Sequence, residues 1–210
     1  MFKAVIWDFG GVVTSSPFEA FNRYEADRGL PANTIRRINS INPDTNAWSQ
    51  IERAEIDAAA FDRLFAEEAQ ALGFEIPGSA VLALLSGEVR PRMVSAIDWC
   101  KQSGLRVGCI TNNAPADAND ESAALSPAAD AMRRFEHVIE SSKAGIRKPD
   151  PRIYAMMCET LAVDPNACIY LDDLGINCKP AAALGMTAIK VSSEEQALRD
   201  LGQLLNANFL

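Results

Sequence analysis

Apolar positions along the chain follow two rhythms. Short apolar runs at 4–7, 106–110, 138–139, 168–171 and 187–191 have the length and composition of buried strands. Between most of them apolar residues recur at helical spacing, which is the order of a parallel sheet covered by helices on both faces. Several helix ends are legible. Pro91 suits a first helical position and Gly104 closes that helix, while Pro151 opens another whose apolar face is Ile153, Tyr154, Met157 and Leu161. Trp99 and Met157 read as packing residues. One segment breaks the alternation: residues 16–87 carry helical periodicity, such as Phe61, Leu64, Phe65 and Leu72, and no convincing strand. It reads as a helical insertion after the first strand, where a lid over a site is expected. Residues 113–130, rich in Ala, Asp, Asn, Ser and Pro, read as a solvated loop with a short helix.

The chain has 210 residues, 48% hydrophobic and 23% charged, enough to bury a sizeable core. The apolar run at the N-terminus is too short, and too soon interrupted by acid, for a signal segment or a membrane span, so a cytoplasmic protein is expected. Five cysteines without a C-x-x-C pair argue for reduced, mostly buried thiols. His137 is the only histidine, which leaves histidine-rich zinc sites poorly supplied, and it reads as structural because it leads into Val138-Ile139. A net charge of -8 without a block of Lys and Arg makes nucleic acid an unsuitable partner. An anionic substrate would have to be met locally, by a metal and a placed lysine.

In parallel sheets ligands bind beyond the carboxyl ends of the strands, so the residues that follow each apolar run carry the chemistry. After the first comes Asp8-Phe9-Gly10-Gly11-Val12, an acid and two glycines that let the backbone turn sharply beside a ligand. After the second comes Thr111-Asn112-Asn113, a hydroxyl and amides suited to phosphoryl oxygens. After the third, a loop delivers Lys148 just ahead of Pro151. After the fourth stand Asp172 and Asp173, whose mutual repulsion is most simply relieved by a cation, and hard oxygen donors favour magnesium. Taken singly each feature has a plainer reading, an N-cap or a turn. Their order along the chain is more specific.

With these motifs, Asp8-Phe9-Gly10-Gly11-Val12, Ile110-Thr111-Asn112, the run from Arg147 to Tyr154, and Tyr170-Leu171-Asp172-Asp173, the chain resembles the haloacid dehalogenase superfamily over essentially its whole length. Residues 135–191 look like the N-terminal phosphatase domain of soluble epoxide hydrolases and its bacterial relatives. The resemblance implies a Rossmann-like α/β core, residues 1–15 and 88–210, with a helical cap at 16–87. It implies a magnesium-dependent phosphatase of small-molecule phosphate esters in which Asp8 attacks phosphorus and forms an aspartyl-phosphate. Thr111 and Asn112 would bind the transferring group and Lys148 would neutralise its oxygens. Gly10 and Gly11 would lie beside the substrate. Asp8, the Gly10 carbonyl and Asp173 would hold the metal, with Asp172 adjacent or acting through water, and Asn177 would support that loop.

One departure matters. Phosphatases of this superfamily mostly carry a second Asp two residues after the nucleophile, and here that position is Gly10. The change predicts a preference for leaving groups that need little protonation, such as anomeric, aryl or acyl phosphates. Two rivals stand beside this reading. One is a metal-independent 2-haloacid dehalogenase, against which the Asp172-Asp173 pair speaks; the other is a catalytically silent protein that only binds phosphate ligands. In the helical segment Trp48, Arg53 and Phe18 are candidates for substrate contacts. The plainer reading makes Trp48 and Phe18 core residues and Arg53 a solvated charge. Thr14, Ser15 and Ser16 are placed to line a hinge.

Overall fold

A strand of Ala4-Val5-Ile6-Trp7 offers no polar face to water, so it must be covered on both sides. The computed structural model describes residues 1–115 and 125–209. It buries this strand, β1 (Ala4–Trp7), at the centre of a five-stranded sheet of order β3-β2-β1-β4-β5. The others are β2 (Arg106–Thr111), β3 (His137–Glu140), β4 (Cys168–Asp172) and β5 (Thr187–Lys190), and every pairing is parallel. All five expected strands are present. β2 and β4 each extend one residue past their apolar run, so Thr111 and Asp172 are the last residues of their strands rather than the first of the loops.

Alternation along β1 sorts the core. Val5 and Trp7 pack with Met93 and Ile97 of α6 (Pro91–Gln102) and with Leu198 and Leu201 of α11 (Glu194–Leu205). Ala4 and Ile6 face the other way, onto Ile153, Tyr154, Met157 and Leu161 of α9 (Pro151–Leu161) and Ala181 of α10 (Gly175–Ala183). The expected apolar face of α9 is thus wholly buried, and Pro91 and Pro151 stand at the first helical positions. Met157 is core, and Trp99 packs edge-on against Phe209. All five cysteines are free and buried. His137 is exposed at the start of β3, the end of the sheet away from the strand carboxyl ends.

Residues 17–82 contribute α1 (Pro17–Asp27), α2 (Thr34–Ser40), α3 (Ala47–Glu52), α4 (Ala58–Ala71) and α5 (Gly78–Leu82). Their side chains form a third apolar cluster, with Phe21, Ile35, Ile51, Phe61, Phe65 and Val81 buried and Leu64 and Leu72 packed against it. The chain leaves and re-enters the sheet layer at one place. Thr14 bridges Val89, Ser15 N donates to the Glu88 carbonyl (2.7 Å), and Arg90 N donates to the Val13 carbonyl (2.9 Å). This is where the hinge was expected. Of residues 113–130, the part at 116–124 lies outside the described residues, and α7 (Pro127–Met132) supplies a short helix. Among the described residues no helix is long and apolar enough to cross a membrane.

Candidate active site

The strand order reverses between β1 and β4, which opens a crevice at their carboxyl ends. Asp8 and Asp172 stand there side by side, since Asp8 N still donates to the Leu171 carbonyl at 2.8 Å. The carboxylate of Asp8 has one oxygen pinned: Oδ1 accepts from Phe9 N (2.7 Å) and lies 2.7 Å from Lys148 Nζ. Oδ2 has no donor on it among the described residues. The turn that follows is possible because of Gly11, at φ +82; a Cβ there would sit 2.2 Å from Asp173 Oδ2. Gly10 is different. It has ordinary φ −70 and ψ 126, and a Cβ would meet nothing nearer than Pro17 Cδ at 3.9 Å. Space alone would allow a side chain at Gly10.

The two neighbouring acids, alike in the sequence, have separate surroundings. Asp172 is fully buried, and Oδ2 takes Lys148 Nζ at 2.8 Å and the Tyr170 hydroxyl at 2.5 Å. Its Oδ1 accepts from Leu174 N at 2.8 Å, and Asn177 Nδ2 reaches both oxygens at 3.1 Å. Asn177 thus supports this loop directly. Asp173 is held more lightly, by a 3.3 Å bond from Ser16 Oγ. Tyr170 was missed in the sequence although the signal was present: it lies two residues before Asp172 on the same face of β4.

Lys148 arrives from a loop between α8 (Ser141–Ala144) and α9, and its side chain is 1% exposed. The amide of Asn112 grips its backbone from both sides: Oδ1 accepts from Lys148 N (2.9 Å) and Nδ2 donates to Lys148 O (3.1 Å). Asn112 was expected to touch the transferring group; here its side chain is engaged in placing Lys148. Thr111, at the end of β2, has its hydroxyl 3.5 Å from the Asn112 carbonyl, too long to hold it firmly. Asn113 ties β2 to α8 through Ser141 and Ser142.

One ammonium faces three carboxylates. Burial first, and Asp172 and Asp173 after it, raise the Asp8 pKa well above its ordinary value against the pull of Lys148. Burial and Asp172 push Asp173 up to about 6. Burial opposes the charge of Lys148, but Asp172 and Asp8 outweigh it and raise its pKa. Oxygens of Asp8, Asp172 and Asp173 lie within 4.8 Å of one another, a hard donor set with surplus negative charge that fits a small divalent cation. Asp173, nearly unpartnered, is the acid of the β4 pair free to hold it.

A cavity of about 1960 Å³ runs from this cluster into the helical segment. Asp8, Gly10, Thr111, Asn112, Lys148 and Asp173 line one end; Phe18, Phe21, Trp48 and Leu85 line the other. Gly11 and Asp172 stand behind that lining. Trp48 combines both readings made of it, since it packs edge-on to Phe21 and Phe61 and also faces the cavity. Phe18 likewise lines it, beneath the Arg36 guanidinium. Arg53 lines the cavity but is held by Glu55 (2.7 Å) and by the Asp44 carbonyl (3.0 Å).

Comparison with known proteins agrees with this geometry. The family model of haloacid dehalogenase-like hydrolases matches residues 2–185. Mouse acyl-CoA dehydrogenase family member 10 is 34% identical over 212 residues, covering 97% of this chain and 19% of its own length. Mouse bifunctional epoxide hydrolase 2 is 26% identical over 218 residues, covering 99% of this chain and 39% of its own. The chain therefore spans well under half of either relative. Phosphatase MT3486 of Mycobacterium tuberculosis, 29% identical, is covered over 94% of its length by 96% of this chain. Among solved structures, a HAD family enzyme of Bacteroides thetaiotaomicron in complex with magnesium and inorganic phosphate superposes with a TM-score of 0.60. It is 18% identical, and 90% of this chain covers 93% of that one.

Proposed function

We propose that this chain, which belongs to the haloacid dehalogenase-like hydrolases and is a hydrolase of that family, is a magnesium-dependent phosphatase of small-molecule phosphate monoesters with Asp8 as nucleophile. The observation that carries this reading is the convergence of three carboxylates and a buried lysine at the strand-order reversal. Such crowding argues against a metal-independent dehalogenase, whose anionic substrate it would repel. The name of the M. tuberculosis relative, a phosphatase matched nearly end to end, supports it.

In this reading residues 16–87 form a cap over a core of 1–15 and 88–210. The free Oδ2 of Asp8 attacks phosphorus in line, and the phosphoryl group moves onto Asp8 as the alkoxide leaves. Lys148 offsets the charge of Asp8 and of the phosphoryl oxygens, and the Thr111 hydroxyl donates to them. Water then attacks the aspartyl-phosphate, releasing phosphate and restoring Asp8. Magnesium, held by Asp8, Asp173 and the Gly10 carbonyl, would supply positive charge to the phosphoryl oxygens. The apolar far end of the cavity, Phe18, Phe21, Trp48 and Leu85, favours an ester with a bulky alcohol part.

With glycine at position 10, no side chain there protonates the leaving oxygen, and losing a general acid costs about 10²- to 10⁴-fold. Rates across phosphate esters of graded leaving-group pKa, with and without magnesium, test the proposal. A steep fall with rising pKa and no turnover in chelator are expected; a flat dependence overturns the leaving-group preference, and full activity in chelator overturns the metal. Because a Cβ at Gly10 meets only Pro17 at 3.9 Å, Gly10→Asp should raise turnover of alkyl phosphates most, by about tenfold or more. Selective help for aryl phosphates would contradict it.

Gly11→Ala places a methyl 2.2 Å from Asp173 Oδ2 at φ +82. The carboxylate must move, and an ångström-scale displacement costs about 10²-fold in turnover. Magnesium affinity should fall with it; wild-type affinity by calorimetry would remove Asp173 from the ligand set. Metal binding should also depend on pH. With the Asp173 pKa at about 6, magnesium must displace a proton below that value, and the raised Asp8 carboxyl acts in the same direction, so affinity should be at least about tenfold weaker near pH 5 than near pH 7.5. Equal affinities would count against this carboxylate as a ligand.

A further inference from the structure

Glu52 closes α3, where the helix dipole disfavours a negative charge, and it is nevertheless only 7% exposed. Burial raises its pKa, and what keeps the charge in place is a set of partners from two layers. Oε2 lies 2.8 Å from Arg147 Nε and accepts from Asn112 Nδ2 at 3.3 Å. Trp48 stands one turn earlier on the same helix face and lines the cavity. Arg147 Nη1 reaches the Pro43 carbonyl at 3.3 Å, again on the helical segment. Both of its partners on the sheet side adjoin Lys148: Arg147 precedes it in the chain, and Asn112 clamps its backbone.

We propose that Glu52 is a positioning residue that makes the placement of Lys148 conditional on docking of the helical segment, acting through Arg147 and Asn112. With that segment seated, a single carboxylate on the helix that carries Trp48 steadies the residues that hold Lys148 against Asp8. With it lifted, Arg147 loses its ion-pair partner, Asn112 loses an acceptor, and the lysine loses its outer anchor. A substrate that fills the cavity beside Trp48 therefore favours the arrangement in which Lys148 meets Asp8. The kinetic part of this inference rests on the phosphatase reading; the structural link does not.

Glu52→Gln removes the charge from the helical side, and Arg147→Gln breaks the same link from the sheet side through a residue that is 23% exposed, should the first variant fail to fold. Glu67→Gln, which breaks the exposed pair with Arg63 on α4, is the control. Each single variant is expected to lower kcat about tenfold with KM within about twofold, and the double variant to be no worse than either, as for residues acting as one unit. Exchange of the Lys148 backbone amide, followed by NMR, should become at least about tenfold faster in both. Unchanged kcat, fully additive losses, or unchanged exchange would overturn the link. If the wild-type protein hydrolyses no phosphate ester, the phosphatase reading falls by itself, and amide exchange alone decides this one: faster exchange in both variants supports it and unchanged exchange overturns it.

Discussion

Asp8→Asn is expected to reduce phosphatase turnover at least about 10⁴-fold, because an amide oxygen is a poor nucleophile. The loss should come without loss of stability. In the folded protein the Asp8 pKa is raised by burial and by Asp172 and Asp173, so the native state holds this proton more tightly than the unfolded chain. Stability then falls as pH rises from the ordinary carboxylate value through the raised one, so ionising Asp8 in the metal-free protein costs stability. Asparagine removes that charge while Lys148 keeps Asp172 at 2.8 Å. Thermal unfolding in chelator should show a Tm equal to or above wild type. Rapid-quench labelling with a radioactive phosphate ester should mark Asp8 in the wild type and nothing in the variant. Turnover within tenfold of wild type would remove Asp8 as the nucleophile.

Lys148→Met should do the opposite to stability. The ammonium is 1% exposed and lies 2.7 Å from Asp8 and 2.8 Å from Asp172. Removing one partner of a buried ionic set costs about 3 to 5 kcal/mol, since the charges left behind are neither hydrated nor paired. For a chain of this size that lowers Tm by roughly 6 to 20 °C. The pKa of Lys148 is raised, because Asp172 and Asp8 outweigh burial. Its contribution is therefore complete below the ordinary lysine value and is lost only as pH rises through the higher folded one, so the deficit should be fully present at neutral pH. Turnover should fall as well, since this ammonium offsets the charge of Asp8 and of the incoming phosphoryl oxygens. A loss below about 1 kcal/mol by denaturant unfolding would mean that the carboxylates do not depend on this lysine.

These variants act on residues that are legible in the sequence itself. Apolar runs without a polar face demand a covered parallel sheet, and in such a sheet the polar residue after each run points to the crevice; hence Asp8, Thr111, Lys148, Asp172 and Asp173 could be picked out in order. Helix boundaries at Pro91 and Pro151 were legible because proline states its own backbone angle. The requirement for glycine at position 11 could be sensed as a sharp turn, whereas its second reason, the carboxylate of Asp173 at 2.2 Å from a Cβ, could not.

What stayed hidden depends on partners far apart in the chain. Asp172 and Asp173 are neighbours of one residue type, yet the alternating direction of side chains at a strand end sends the first into Tyr170, Asn177 and Lys148 and leaves the second to Ser16. Asn112 was chosen for its amide chemistry, and only the path of the Lys148 loop shows that the amide holds that loop. Arg53 and Glu52 are adjacent charged residues in the sequence, and only in the fold is Glu52 the one turned toward Arg147 and Asn112. Hydrophobic periodicity and residue chemistry are local and survive in a linear reading, so the sheet, its order of chemistry and the nucleophile are written in the chain. The division of labour within the acid pair, the clamp on Lys148 and the bridge from the helices to the sheet arise from packing between distant segments, and burial and distance exist only once the chain has folded.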